Sequence, residues 1–236
     1  KTYDQQFEEI HHFFAEAQAY ASGTSNVLVR PNPMDLRYEA LRGVFSGAQR
    51  LYVHADELRS ITEAVHFKRA FEIPHLVIVG GYDAHLVADV LRENQVSVLL
   101  RRVHELPWYA EDDIDLPYRL PKLLEDEGVL YALQNAGSME HMGTRNLPFY
   151  AGTAHAYGLT YEQAVRSLTL NSAQILGIDA LYGSLETGKS ATLFISTGDA
   201  LDVRGNDITT AFIDGRSIDL DNRQKQLYRK FQTKYG

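Results

Sequence analysis

The sequence contains no cysteine, which excludes disulfide bridges, thiolate metal ligands and cysteine nucleophiles together. It also lacks any run of about 18 consecutive apolar residues, the length that a membrane-spanning helix requires, so no membrane span is expected. Basic residues are in the minority, with 23 lysines and arginines against 31 aspartates and glutamates and a formal net charge of −8 at pH 7. A field of this sign repels polyanions, and nucleic acid is therefore not expected as a partner.

The remaining composition is that of an ordinary soluble globular protein. Of 236 residues, 44% are hydrophobic and 23% are charged, which argues against disorder. The chain starts at Lys1 with no signal-like segment, from which we expect a processed or truncated N-terminus. A chain without cysteine fits the cytoplasm and an oxidising compartment such as the periplasm equally well, so the sequence leaves the localisation open.

From Arg50 onwards, short apolar runs alternate with amphipathic helical segments. The four runs are Leu51–Ala55, His75–Val79, Val96–Leu100 and Val129–Leu133. Runs with so little polar alternation are typical of parallel strands that are covered on both faces. Their order with the helices predicts consecutive βα units. The stretch from Leu106 to Pro121 is rich in Pro and Asp and predicts a long surface loop after the third strand.

The two ends of the chain have a different pattern. Helical spacing of apolar residues predicts a helix over Asp4–Ala21, and Asn32-Pro33 predicts the start of a second helix that runs to Gly47. Towards the other end, Thr160 and Gln163 have the spacing of a capping box at a helix start.

Beyond that helix the pattern becomes that of a small β-unit. Ala191–Thr197 and Ile208–Ile213 predict short strands, and Asp214-Gly215 predicts a hairpin turn that leads into Arg216–Leu220. Asn222–Tyr235 predicts a charged terminal helix.

Three segments after the fourth run carry a family resemblance. They are Arg145–Ala154 (RNLPFYAGTA), Thr169–Ile178 (TLNSAQILGI) and Gly183–Lys189 (GSLETGK). In order and spacing they are similar to the last barrel segment of the amidohydrolase superfamily, and most of all to its imidazolonepropionase-like branch. The return to strands through Ala191–Ile195 and Phe212–Arg216 resembles the same family's C-terminal contribution to a composite β-sandwich. The resemblance covers about Leu51 to Leu220.

The resemblance implies an α/β fold, namely the C-terminal half of a (β/α)₈ barrel of the TIM type plus part of a small composite β-sandwich domain. The chain then divides into a half-barrel over 1–180, sandwich strands over 181–220 and a C-terminal helix over 221–236. Half a barrel would expose unpaired strand edges, so the missing N-terminal half of the barrel is the expected partner. A homo-oligomer stays open as well.

The resemblance also implies a metal site. In that family a divalent metal, often zinc, lies at the C-terminal mouth of the barrel and activates water against a carbon–nitrogen bond. By position in this sequence, His54 matches the ligand on the fifth barrel strand, Gly80 the histidine on the sixth, and Asn135 the aspartate on the eighth that is also the general base. Glycine has no side chain to bind a metal, and a neutral amide is a poor ligand and no base. We therefore expect a metal site that is degraded in this half.

Other polar and aromatic residues just beyond the strand ends are further candidates. His104, Trp108 and His141 are predicted substrate contacts, although packing of the long loop and ordinary solvated positions would explain them equally. Candidates to replace the missing ligands are the carboxylates and imidazoles just beyond the strand ends, namely Asp56, Glu57, His104, Glu105, Glu140 and His141, although such charged residues are usually solvated. Arg101-Arg102 indicates either a charged rim or a site for an anionic substrate.

Two functions stay open on the sequence alone. One is a hydrolase of non-peptide carbon–nitrogen bonds whose metal is held largely by the missing half, with His54 contributing. The other is a catalytically inactive, amidohydrolase-like binding or partner subunit in which the barrel survives without its chemistry. Both predict a small-molecule substrate or ligand. The metal content of the complete protein distinguishes them.

Overall fold

The structure is a computed structural model that describes residues 2–23, 34–135 and 140–235. The helices are α1 (Tyr3–Gly23), α2 (Leu36–Glu39), α3 (Arg42–Ser46), α4 (Leu58–Ala70), α5 (Ala88–Glu93), α6 (Leu116–Asp126), α7 (Leu147–Ala156), α8 (Tyr161–Leu168), α9 (Leu170–Leu176) and α10 (Arg223–Tyr235), with 3₁₀ turns at Tyr82–Val87 and Glu140–Asn146. The strands are β1 (Leu51–Ala55), β2 (Leu76–Gly80), β3 (Ser97–Leu100), β4 (Tyr131–Leu133), β5 (Leu193–Ser196), β6 (Ile208–Ile213) and β7 (Arg216–Ser217).

The first four strands form one parallel sheet in the order β1-β2-β3-β4, with helical crossovers between them. Each predicted apolar run overlaps one of these strands, with bounds that differ by at most two residues. The predicted α/β class with consecutive βα units is therefore confirmed. The predicted loop after the third strand is also present, although its last part, from Leu116, is the start of α6.

The sheet has two faces with different surroundings. On one face, Ala55, Ile78, Val98 and Tyr131 belong to the main hydrophobic core under the helices. Because side chains alternate along a strand, the other face carries the residues in between, and it would line the interior of a closed barrel. One row of the register on this inner face is His54, Val79, Leu99 and Ala132.

Helix α9 covers the lower part of that inner face. Ile175 packs with Val77, Leu99 and Ala132 in a cluster of its own. The buried amide of Asn171 donates a hydrogen bond of 3.0 Å to the carbonyl of Tyr131 and so holds α9 against β4. With this end filled, the carboxyl ends of the strands form the open mouth of the half-barrel.

The N-terminal helices differ from the prediction in one respect. Helix α1 is confirmed, with bounds slightly wider than predicted. Asn32-Pro33 lies outside the described residues, and the predicted single helix to Gly47 is wrong, since α2 and α3 are separate. Asp35 is the N-cap of α2, and its carboxylate accepts the N–H of Arg37 at 2.9 Å. Gly47 is the C-cap of α3 and has a φ of 80°.

The C-terminal part contains the predicted β-unit. Strands β5, β6 and β7 form an antiparallel sheet, and both residues of the Asp214-Gly215 turn have positive φ, as a tight hairpin requires. The capping box of Thr160 and Gln163 is confirmed at the start of α8. The division at 180 and 220 stays a prediction. Within the described ranges, no helix has both the length and the apolar character needed to cross a membrane.

Candidate functional site

Backbone pairing continues one residue past each strand at the mouth. The N–H of Gly81 donates to the carbonyl of Ala55 at 2.8 Å, and the N–H of Arg101 donates to the carbonyl of Gly80 at 2.9 Å. The N–H of Gln134 donates to Leu100 in the same way, at 3.1 Å. This ladder brings the residues that follow β1, β2, β3 and β4 to one edge, which is where barrel active sites lie.

An arginine lies at the centre of this edge. Arg101 Nη1 is 3.0 Å from Asp56 Oδ1, while Nε and Nη2 donate to the two carboxylate oxygens of Glu105. The guanidinium carbon lies 3.9 Å from the ring centre of Trp108. We call Asp56, Arg101, Glu105 and Trp108 the mouth cluster. Burial alone would lower the pKa of Arg101, but the hydrogen bonds and charges of Glu105 and Asp56 outweigh it and raise this pKa above its ordinary value.

The loop that carries Trp108 is fixed to the turn after β2. The Trp108 ring stacks on the Tyr82 ring with centroids 4.8 Å apart, and the backbone N–H of Trp108 donates to the Tyr82 hydroxyl at 3.0 Å. That hydroxyl, on a fully buried side chain, donates in turn to Asp112 at 2.5 Å. Burial and then the Asp112 hydrogen bond raise the pKa of Tyr82 to about 12. Trp108 is thus a packing residue here, while its 42% exposed ring leaves the predicted substrate contact a prediction.

His54 is exposed on the inner face of β1, next to the start of the mouth cluster. It makes no hydrogen bond to any residue that the structure describes. Those residues also contain no group of three or more His, Cys, Asp or Glu side chains placed to hold a metal ion. A zinc site needs three or four protein ligands, so His54 fits as one ligand of a site that residues outside this chain would complete.

Position 80 requires a glycine, because of both its backbone conformation and the neighbouring Asp56 side chain. Its φ is 115°, and a Cβ at this position would lie 2.6 Å from Asp56 Oδ1. The carboxylate of Asp56 therefore occupies the space that a side chain at position 80 would take. Gly81 is equally restricted, with a φ of 72° and Val98 at 2.7 Å from its missing Cβ, which supports the tight βα turn over a phosphate cradle.

Asn135 follows β4 and faces α7. Its side-chain oxygen is 3.5 Å from the hydroxyl of Tyr150, a long contact for two polar groups. A Cβ at Gly143 would lie 3.1 Å from its side-chain nitrogen, so the amide is closely surrounded. The predicted role of Asn135 at the position of the family's general base stays a prediction.

His104 does not join Trp108 in one site. Its Nε2 is 2.6 Å from the hydroxyl of Thr153, and its ring packs edge-on against Tyr150. It borders a cleft of about 500 Å³ together with His155 and Asp199, between α7 and the chain before β6. Burial, followed by the charge of Arg102, lowers the pKa of His104. The side chain of His141, the third predicted contact, lies outside the described part of the structure.

Proteins of similar sequence are described as amidohydrolases. A model described as the amidohydrolase family matches residues 118–218. Amidohydrolase tasK of Hapsidospora irregularis is 26% identical over 188 residues, which cover 78% of this chain and 19% of that protein.

Solved structures give the same result. An amidohydrolase from Thermotoga maritima superposes with a TM-score of 0.78 at 26% identity, over 90% of this chain and 55% of that one. A putative prolidase from Bifidobacterium longum, 14% identical, has the same fold with a TM-score of 0.57, over 94% of this chain and 64% of that one. The chain thus spans a little over half the length of these structures and a fifth of the curated relative. Its four parallel strands with their helices form half of a TIM-type barrel, and these matches support its assignment to the amidohydrolase superfamily.

Proposed function

We propose that this chain supplies the C-terminal half of the barrel of a hydrolase that acts on non-peptide carbon–nitrogen bonds. The observation that carries the proposal is His54, an exposed imidazole without a hydrogen-bond partner among the described residues, on the inner face of β1 near the mouth. Neutral imidazole is the commonest metal ligand, and a barrel mouth is where such a metal acts. The similarity to amidohydrolases supports the reaction class.

Of the three ligand positions that the resemblance implies for this half, one carries a side chain that fits a metal ion. His54 would be the ligand from this half, since Gly80 has no donor and Asn135 offers a neutral amide. When bound, a divalent ion such as zinc would lower the pKa of a water molecule towards neutrality and so supply the nucleophile. The other ligands and the general base would then come from the first half of the barrel.

The free edge of β1 supports that first half as the partner. In a parallel pair, alternate residues direct their backbone groups to the same neighbour. Leu51 and Ala55 bond to residues on the β2 side, so the backbone groups of Tyr52 and His54 point away from the sheet. A groove of about 370 Å³ runs along this edge between α1 and α4. An unpaired edge of this kind fits one more parallel strand, the last strand of the preceding half-barrel.

The test uses the protein that contains both halves, purified without added metal. We expect a stoichiometric divalent ion and hydrolysis of small linear or cyclic amides. His54→Asn is expected to weaken metal binding and lower kcat/KM on the order of 100-fold, because it removes a ligand. His75→Asn, at the opposite end of the neighbouring strand, is the matched control and should change neither.

Two results would contradict the proposal. One is a protein that holds no metal, takes up neither zinc nor manganese, and hydrolyses nothing, which would support the binding or partner subunit instead. The other is equal behaviour of the two histidine variants, which would remove His54 from the site.

A further inference from the structure

We propose that Arg101 holds Asp56 and Glu105 as its counterions, so that neither carboxylate is a metal ligand. Among the described residues, His54 is then the metal ligand that this half donates. The part of the inference that concerns metal rests on the proposed function. The ion pairing does not, since it follows from the contacts of Arg101 alone.

The contacts of Arg101 leave little of its guanidinium available for anything else. Its Nη1 is bound to Asp56 at 3.0 Å, and Nε and Nη2 form a bidentate pair with Glu105. One face lies 3.9 Å from the centre of Trp108. Bidentate arginine–carboxylate pairs are among the strongest and most directional in proteins. With the Arg101 side chain 23% exposed and that of Glu105 10%, solvent screens this pair only in part.

Gly80 and Arg101 together explain why Asp56 is not free to bind a metal. Because position 80 has no side chain, the carboxylate of Asp56 occupies the space beside β2. There it meets the guanidinium that the neighbouring strand β3 presents. The position where the resemblance places a histidine ligand is thus filled by a carboxylate, and that carboxylate is neutralised by an arginine. A divalent ion bound to Asp56 would have to lie next to the positive charge of Arg101, which repels it.

The same contacts exclude Arg101 as a site for an anionic substrate. Three of its nitrogens already donate to carboxylates, and the three charged members of the mouth cluster sum to one negative charge. A substrate carboxylate that displaced Asp56 or Glu105 would leave a partly buried charge without a counterion, at a considerable cost. Arg101 therefore offers no free positive charge to the substrate.

The experiment compares Arg101→Gln with Arg119→Gln in the protein that contains both halves. Arg119 also pairs with two carboxylates, Asp113 at 3.1 Å and Asp115 at 3.3 Å, but at an exposed position. We expect Arg101→Gln to lower Tm by about 5–10 °C, because it leaves two carboxylates unpaired. Arg119→Gln is expected to lower it by less than about 2 °C. Adding Glu105→Gln to Arg101→Gln should restore part of the loss, since it removes one of the unpaired charges.

Metal content is the second readout, and Asp56→Asn is its mildest variant. We expect Asp56→Asn to hold as much metal as the unmodified protein, whereas His54→Asn loses it. The inference is overturned if Asp56→Asn or Glu105→Gln releases metal, or if Arg101→Gln is no more harmful than Arg119→Gln. If the protein holds no metal, the proposed function is contradicted. The comparison of Tm between Arg101→Gln and Arg119→Gln would still decide whether Arg101 pairs with Asp56 and Glu105.

Discussion

At Gly80 the backbone and the neighbouring side chain both exclude a larger residue. The φ of 115° is strained for any L-residue with a side chain, and the missing Cβ would lie 2.6 Å from the Asp56 carboxylate. We expect Gly80→Ala to lower the free energy of unfolding by about 2–4 kcal/mol, of which about 1–3 kcal/mol is backbone strain. Chemical denaturation measures the change.

Gly188→Ala is the matched control for this substitution. Gly188 has a φ of 97°, but nothing lies within 4 Å of its missing Cβ, so alanine there meets the backbone strain alone. The additional loss of unfolding free energy in Gly80→Ala, compared with Gly188→Ala, is then the effect of the clash with Asp56. Asp56→Ala in the Gly80→Ala background should recover this additional loss. Equal losses at the two glycines would show that Asp56 does not occupy the space beside position 80.

The single residues of the site differ in how far the sequence could predict them. His54 lies near the end of one apolar run and Gly80 directly follows the next, so their place at the mouth follows from the βα pattern alone. The pair of Asp56 and Arg101 does not, because 45 residues and an intervening strand separate the partners and the register of three strands brings them together. Arg101 and Glu105 have a spacing typical of a helix, yet they lie in a loop, where no periodicity predicts which side chains meet.

At the scale of the elements, the Tyr82 hydroxyl holds two points of the loop between β3 and α6. Tyr82 donates to Asp112 and accepts the N–H of Trp108, so it joins two points of this loop. Its pKa is raised to about 12, which means that the folded protein holds the phenol proton more tightly than the unfolded chain does. The corresponding stability is present in full below pH 10 and is lost as the pH rises from about 10 to about 12.

We expect Tyr82→Phe to lower the free energy of unfolding at pH 7 by about 1–3 kcal/mol, because Asp112 and the Trp108 N–H lose their partner. The variant should also show a smaller loss of stability than the unmodified protein between pH 10 and pH 12. Denaturant titrations at pH 7, 10 and 11.5 measure both effects. Tyr228→Phe, at an exposed position on α10, is the control and should leave both values unchanged. A pH dependence equal in Tyr82→Phe and the unmodified protein would contradict this role of the hydroxyl.

The sequence predicts best those elements whose signal lies in residues close together along the chain. The capping box of Thr160 and Gln163 involves residues three apart, and both of its hydrogen bonds are present. The break between α2 and α3 was missed because a continuous helical spacing of apolar residues predicts a helix but not where it is interrupted. Asp35 was the available signal for the start of α2, since Asp is among the preferred N-cap residues.

At the scale of the whole molecule, α9 closes the end of the half-barrel opposite the mouth, whereas the edge along β1 is open. Ile175 and Asn171 of α9 fill the end opposite the mouth. By contrast, the backbone groups of Tyr52 and His54 on β1 have no strand beside them in the described structure. The βα pattern of the sequence predicts an open strand edge, because four βα units are half of the eight that close a barrel. Only the structure shows which residues of β1 point to the open edge.

That edge leads to a prediction about association with the first half. Tyr52→Pro removes a backbone N–H that points to the open edge, and it leaves the groups of Leu51, Val53 and Ala55 that face β2 in place. Tyr52→Val changes the side chain in a similar way but keeps the N–H, so it is the matched control. With the two halves produced as separate chains, we expect Tyr52→Pro to raise the Kd of their complex about 10- to 100-fold, the effect of one carbonyl left without its donor. Titration calorimetry measures the Kd, and because β1 can pair with a further strand only through this edge, equal values for Tyr52→Pro and Tyr52→Val would mean that the first half binds elsewhere.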